Sequence, residues 1–406
     1  MTLSRTAERS SRRGLLSRLI APLALAAGFG IAGCAAPSSS ISAPPAIGTV
    51  ILDTNKAAAM DVRIKWYRQP YIFDEKTQIL DYWRVGDCLY ISCSDFSLVC
   101  MDVDTGKTLW RTDLGYVPHI FRPANWTDYL VCMNRSQGVL IDRRTGRVVM
   151  RSNLTFACTT APIVAGDTIC VGTGADFFYG LYVDLFTKVK FPVHSEAGED
   201  SFVAPPAVIG GHRMLAVSHK GYMFCVDPDF GSVLWSYRKV TGNVVGGVGA
   251  DNRTFYVPSM DNKVFAFDCV DSAYLWDTHL EGKLDQNIVV VNKGQQILVP
   301  STGKGLYCLE PNKGIVQWLL PDATQVVALS TTHAYVACDD GTIKAVRLDL
   351  GAKADPDPRS APRDAKVDKV IPLNGVKFFA TNLRDSTIFA CTVEGRMMAI
   401  SPEEAP

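Results

Sequence analysis

The chain predicts an all-β fold, an eight-bladed β-propeller of four-stranded antiparallel blades, and three observations carry that expectation. A four-residue core word recurs at a nearly fixed interval. Each copy lies among short β-branched and aromatic runs divided by Gly/Asp turns, and a strand missing from the last copy is found near the start of the chain. The copies are Val99–Asp102, Val139–Asp142, Leu181–Asp184, Phe224–Asp227, Phe265–Asp268, Tyr307–Glu310, Lys344–Arg347 and Met398–Ser401, anchored at 102, 142, 184, 227, 268, 310, 347 and 401. Most intervals are 40 to 43 residues, one is 37 and the last is 54. A period of this size marks a repeat architecture, in which each unit covers the apolar face of the next.

Within one repeat the elements follow in order. Val85-Gly86-Asp87-Cys88 turns strand A into strand B, and Asp102-Val103-Asp104-Thr105-Gly106 turns strand C into strand D. Gly supplies a positive φ at these steps, and Asp hydrogen-bonds its own backbone. Radial stacking of such meanders covers both faces of each sheet and leaves only short edges. Small residues recur two places before the anchor, in Cys100, Cys225, Ala266, Cys308, Ala345 and Ala399. A tryptophan recurs on strand D in Trp110, Trp235, Trp276 and Trp318, where the second and third repeats carry Met150 and Phe191. The eighth repeat ends at Ser401 without a strand D; Val62-Arg63-Ile64-Lys65-Trp66 has the spacing to supply it and close the ring.

The repeat, with its Asp-x-x-Thr-Gly turn and tryptophan, resembles the PQQ-type propeller repeat over about residues 61–402. An eight-bladed lipoprotein of this kind is similar to the BamB family of outer-membrane assembly factors. That resemblance implies a protein-binding scaffold in outer-membrane protein assembly, with barrel-assembly components among its envelope partners. The family's Leu-x-Leu-Arg contact segment has no counterpart here, so no binding residue carries over. The alternatives are a PQQ-dependent quinoprotein oxidoreductase and a propeller that binds carbohydrate or another small ligand in its axial channel, since one fold hosts many activities.

The N-terminus has the architecture of an export signal. Arg12, Arg13 and Arg18 precede an apolar stretch from Leu19 to Gly33, short of the ~20 residues that span a bilayer. Ile31-Ala32-Gly33-Cys34 resembles a lipobox, which makes residues 1–33 the signal peptide and Cys34 the lipidated residue. Arg12 and Arg13 also fit a twin-arginine signal, and general secretion stays open beside it. Residues 34–60 then form a flexible, lipid-attached tether whose first part is rich in Ala, Ser and Pro. Ala35 offers no acidic inner-membrane retention residue, so a periplasm-facing, outer-membrane location is expected. Charges balance at 41 basic and 41 acidic; removing residues 1–33 takes away five arginines and one glutamate and leaves a slightly acidic remainder. That composition argues against nucleic acid as a partner.

Of twelve cysteines, eleven remain beside Cys34, several at equivalent core positions, and they are expected as small packing residues. No Cys-x-x-Cys and no zinc spacing occurs. The six histidines, at 119, 194, 212, 219, 279 and 333, are dispersed. Asp102-Val103-Asp104-Thr105-Gly106 lacks the downstream Glu of a calcium loop, and Gly172-Thr173-Gly174 lacks the third glycine of a dinucleotide site. No catalytic or metal-binding residue is assigned and no cofactor is expected, PQQ being the alternative. Trp83, on the inner strand of blade one, is the one candidate stacking platform for a quinone, but the chain has no Cys-Cys pair. Two segments point to binding. Phe177, Phe178 and Tyr179 follow Thr173-Gly174-Ala175-Asp176 at the third B–C hairpin, where an exposed aromatic would anchor a partner. Residues 352–370, rich in Asp, Lys, Arg and Pro, are expected as a mobile insertion between strands C and D of blade seven.

Overall fold

Alternating apolar runs and Gly/Asp turns fold into eight antiparallel sheets, each a consecutive meander, in a computed structural model that describes residues 51–69, 77–117, 119–192, 200–291, 294–348 and 362–402. Blade one comprises Ile79–Val85, Cys88–Cys93, Ser97–Asp102 and Thr108–Asp113 from the axis outward. Blades two to seven occupy 124–153, 163–192, 207–239, 249–279, 289–320 and 323–372. Blade eight joins Val376–Ala380, Ile388–Thr392 and Met397–Pro402 to the N-terminal strand Val62–Arg68. Trp66 pairs with Ala399 and Tyr67 with Met398, so the two ends of the described chain share one sheet. The innermost strands of blades one and eight touch, as do those of blades two to six in succession, and the ring closes around an axis.

One contact repeats from blade to blade. The strand D tryptophan lies directly across from the small strand C residue: Trp110 opposite Cys100, Trp235 opposite Cys225, Trp276 opposite Ala266, Trp318 opposite Cys308 and Trp66 opposite Ala399. Cross-strand partners share a face, and the small residue leaves room beside the indole. Three of the rings lean on a glycine in the C–D turn of the next blade. A Cβ on Gly106 would stand 2.5 Å from Trp66, one on Gly146 2.6 Å from Trp110, and one on Gly314 2.4 Å from Trp276. These glycines have φ of 65°, 74° and 68°, so both conformation and space demand glycine there. The indole N–H groups then donate to the next blade: Trp66 to the Val103 carbonyl (3.0 Å), Trp110 to Arg143 (2.8 Å), Trp235 to Cys269 (3.3 Å) and Trp276 to Pro311 (2.8 Å). The closure strand therefore makes the same staple as the internal blades.

Three expectations are corrected. The third copy is anchored two residues early, at Tyr182, whose N–H takes the Phe186 carbonyl (2.9 Å) as Asp102 takes Lys107 and Asp142 takes Arg147. Gly180 is then the small residue and Val189 its partner across the sheet, while Phe191 pairs with Phe178. A slip of two keeps every side chain on its face, so the apolar pattern alone could not expose it. The tether boundary at 60 is too late: Ile51, Leu52 and Ala57 join the core between blades seven and eight, and helix Thr54–Ala59 is capped by Asp53, whose carboxylate accepts from the Asn55 and Lys56 N–H groups. The insertion ends before 370. Arg363–Asp364 pairs in parallel with Trp318 and Leu319 of blade six, and Val367–Pro372 is strand D itself. Residues 12, 13, 34 and 352–361 lie outside the described residues.

Candidate functional site

The aromatic triplet of blade three divides by strand alternation, since neighbours on a strand face opposite ways. The hairpin tip is 173–176, and Phe177–Leu181 is already strand. Phe178 is fully buried and meets Phe202 and Phe224 edge-on at 5.3 and 6.2 Å. It is core, which corrects the expectation of an exposed anchor there. Phe177 and Tyr179 share the other face, half-buried, with Phe156 stacked on Tyr179 at 4.1 Å and the Lys190 ammonium 4.1 Å from the Phe177 ring. These two remain accessible at their edges.

A stronger surface feature has no counterpart in the repeat motif. The C–D turns of blades three, four and five project Phe186, Phe230 and Val270, which are 68%, 86% and 72% exposed. In a meander the C–D turns all lie on one rim of the ring, so these neighbouring blades carry a row of apolar tips. The corresponding turns of blades one, two and six carry Asp104 and Thr105, Arg144 and Thr145, and Asn312 and Lys313. The row is held from beneath. Asp229 accepts from the Thr168 hydroxyl (2.6 Å) and pairs with Lys188 (3.1 Å), tying blade four's turn to blade three. The signal was present in the sequence, but apolar residues within turns are common singly and only adjacency in the ring makes a row of them.

The axis holds a cavity of about 250 Å³ lined by Asp81, Trp83, Arg84, Arg122, Lys377 and Phe379 among others. Trp83 does face it, as the inner-strand position predicts. Asp81 is the one carboxylate among the described lining residues, so the calcium-binding carboxylates that accompany a bound quinone are not gathered there, and no group of three His, Cys, Asp or Glu able to hold a metal occurs among the described residues. Arg84 is already engaged: its guanidinium bonds Asn382 and Asp385 (3.1 Å) and stands 5.6 Å from the Phe389 ring. Burial pushes the Asp385 carboxyl up, but hydrogen bonds from Thr387, Asn382 and Arg84 outweigh it and hold the group well below the usual carboxylate range. This network joins blades one and eight through residues outside the repeat motif, which is why sequence reasoning missed it.

The eleven described cysteines are free thiols, and all but Cys88 are buried. Burial pushes Cys225 up to about 11 and Cys158 to about 12, as inert packing thiols. Four of the histidines stand apart from one another: His212 and His219 face carbonyls, and His333 pairs with Asp368 (2.9 Å), whose carboxylate Arg347 also holds (2.6 Å); His279 lies on blade five.

Fold and surfaces together define an eight-bladed repeat propeller that presents turns on its rim and a small polar cavity on its axis. A family model described as "Outer membrane protein assembly factor BamB" matches residues 94–184 and 219–405. The chain belongs to that family. The crystal structure of BamB from Moraxella catarrhalis superposes with a TM-score of 0.63 at 13% identity, covering 83% of this chain and all of that one (100%). A computationally designed protein, Ika8, superposes with a TM-score of 0.60 at 11% identity, covering 80% and 96% of the two chains. At these identities both likenesses speak for the fold. A comparison with curated proteins finds no match.

Proposed function

We propose that this protein is a non-enzymatic scaffold of the bacterial envelope, anchored by lipid at Cys34, that binds protein partners through its blade-connecting turns during outer-membrane protein assembly. The row Phe186, Phe230 and Val270 carries the reading. Large apolar side chains on a rigid rim are what a protein interface buries at its centre, and all three stand exposed among the described residues. Membership of the BamB family supports the assembly role. The described chain enters blade eight from Ile51, whose carbonyl accepts from the Asn374 N–H (2.9 Å). Asn374 follows strand D of blade seven, on the rim opposite the C–D turns.

Two measurements test the proposal. Mass spectrometry of the mature N-terminus is expected to find Cys34 as the first residue, carrying a diacylglyceryl thioether and an acylated amine; an unmodified peptide beginning elsewhere would remove the anchor. Titration of the purified protein with pyrroloquinoline quinone is expected to show neither stoichiometric binding nor dye reduction. Both together would replace the scaffold with a quinoprotein oxidoreductase.

A further inference from the structure

We propose that the cleft between blades five and six is a socket for the guanidinium of an arginine carried by a partner protein, an inference that deepens the scaffold reading and rests on it. The cleft has a volume of about 590 Å³ and lies between the A–B turn of blade five, residues 251–253, and Val290, Pro311 and Asn312 of blade six. In a meander the A–B and C–D turns share one rim, so the cleft opens beside the apolar row. The Arg253 carbonyl accepts from the Cys269 N–H (2.7 Å), and Val270 follows directly.

Other junctions of the ring show what such a cleft takes. Trp276 donates to the Pro311 carbonyl as Trp110 donates to that of Arg143, both at 2.8 Å, so Pro311 and Arg143 hold equivalent places. Between blades one and two, Arg143 fills the junction itself. Its Nη1 donates to the Thr127 carbonyl of one A–B turn (2.9 Å), and Nη2 lies 3.7 Å from where a Cβ of Gly86, in the other turn, would be. Between blades three and four, the Pro228-Asp229 step sends a carboxylate across, which accepts from the Asp167 N–H (3.1 Å) and the Thr168 hydroxyl (2.6 Å). Blade six repeats that step as Pro311-Asn312. Asn312 turns back instead, its Nδ2 donating to Glu310 Oε1 (2.6 Å), and the cleft stays open.

The walls decide the charge of the occupant. Asp251 Oδ1 accepts from the Arg253 and Thr254 N–H groups (2.6 and 2.8 Å), so these donors are taken within the turn. Asp251 Oδ2 and Asn312 Oδ1 accept no hydrogen bond among the described residues. Gly294, at φ 93°, passes so close that a Cβ there would stand 2.0 Å from Asp251 Oδ2, and glycine alone leaves that oxygen its place. The walls therefore offer acceptors, one of them anionic, and the fixed fork of donors on a guanidinium complements them. Arg253, the one cation among the described lining residues, is exposed, where water and salt screen its charge. The fitting segment carries an arginine for the cleft beside apolar side chains for Val270 and its neighbours.

The test titrates the purified full chain, by calorimetry, with an acetylated and amidated Leu-Arg-Leu-Arg-Leu peptide and with its Gln and Glu counterparts. The arginine peptide is expected to bind at least about tenfold tighter than the glutamine peptide, as one charge-assisted hydrogen bond supplies, and the glutamate peptide should bind most weakly. Asp251→Asn keeps an acceptor for the turn and should abolish the preference. Pro311→Arg gives blade six the residue that blade two has, and should abolish it from the opposite wall, so a variant that fails to fold leaves the other to decide. No preference for the arginine peptide, tighter binding of the glutamate peptide through Arg253, or a preference that survives in a folded variant would overturn the socket. Capture of barrel-assembly proteins by the unaltered chain would then leave the scaffold standing without it. An arginine preference lost in the variants, with no such capture, would support the socket and remove the assembly role.

Discussion

Phe177 and Phe178 are adjacent, and one residue of strand alternation gives them opposite roles. Phe178 fills the core between blades three and four with no exposed surface, beside Phe202 and Phe224. Phe178→Ala should cost about 3–5 kcal/mol, read as a lower midpoint of denaturant unfolding, whereas Phe177→Ala should shift that midpoint little. Equal effects would mean that the strand alternates the other way. The aromatic run was legible as a feature, but which ring pointed outward depended on where the hairpin tip ended and the strand began. The recurring small residue and the recurring tryptophan were both legible too. What the sequence did not show was that they are one device, because their pairing across strands C and D spans a turn whose length varies.

At the scale of the element, that device decides whether a blade docks on its neighbour. The blade-seven insertion shows its limits. In four of the five blades with a strand D tryptophan the indole N–H reaches the carbonyl just after the next anchor, but the buried Trp318 Nε1 has no partner among the described residues, and Trp318 pairs along the sheet with Arg363 of the Arg363–Asp364 strand. The anchor bond itself survives, with the Arg347 N–H taking the Lys366 carbonyl (2.9 Å) across the insertion. Where the D strand of blade seven lacks a tryptophan, Lys369 stands opposite Ala345 and donates to the Asp61 carbonyl (3.1 Å), so a cation links blades seven and eight. Closure of the ring rests on Trp66. Trp66→Ala removes a buried ring and its bond to Val103, and should destabilise by about 3–5 kcal/mol. Gly106→Ala places a methyl group into the same ring at positive φ and should also destabilise, by at least ~1 kcal/mol from the backbone alone. Thermal unfolding of both variants checks this; an unchanged melting temperature in either would mean that strand Val62–Arg68 does not seal blade eight. The repeat made this closure legible. The two-residue slip in blade three and the packed segment from Ile51 were not, since the first preserves every face and the second has no periodic pattern.

The whole molecule is a ring of staples that holds turns in fixed positions, and the proposed scaffold role depends on what those turns meet. The repeat motif specified the ring because burial between blades fixes its residues. It was silent about the rim, where Phe186, Phe230 and Val270 are exposed rather than fixed by packing and stand where the proposed partner would meet them. Their substitution by serine leaves the core untouched and should alter stability by no more than ~0.5 kcal/mol each. The most direct measurement is affinity capture from native membranes of the full chain and of the triple variant Phe186→Ser, Phe230→Ser, Val270→Ser, with barrel-assembly proteins quantified in each eluate. The scaffold account predicts that the unaltered chain retains them in stoichiometric amount and that the folded variant loses most of them. Equal recovery by both, or recovery by neither, would contradict it.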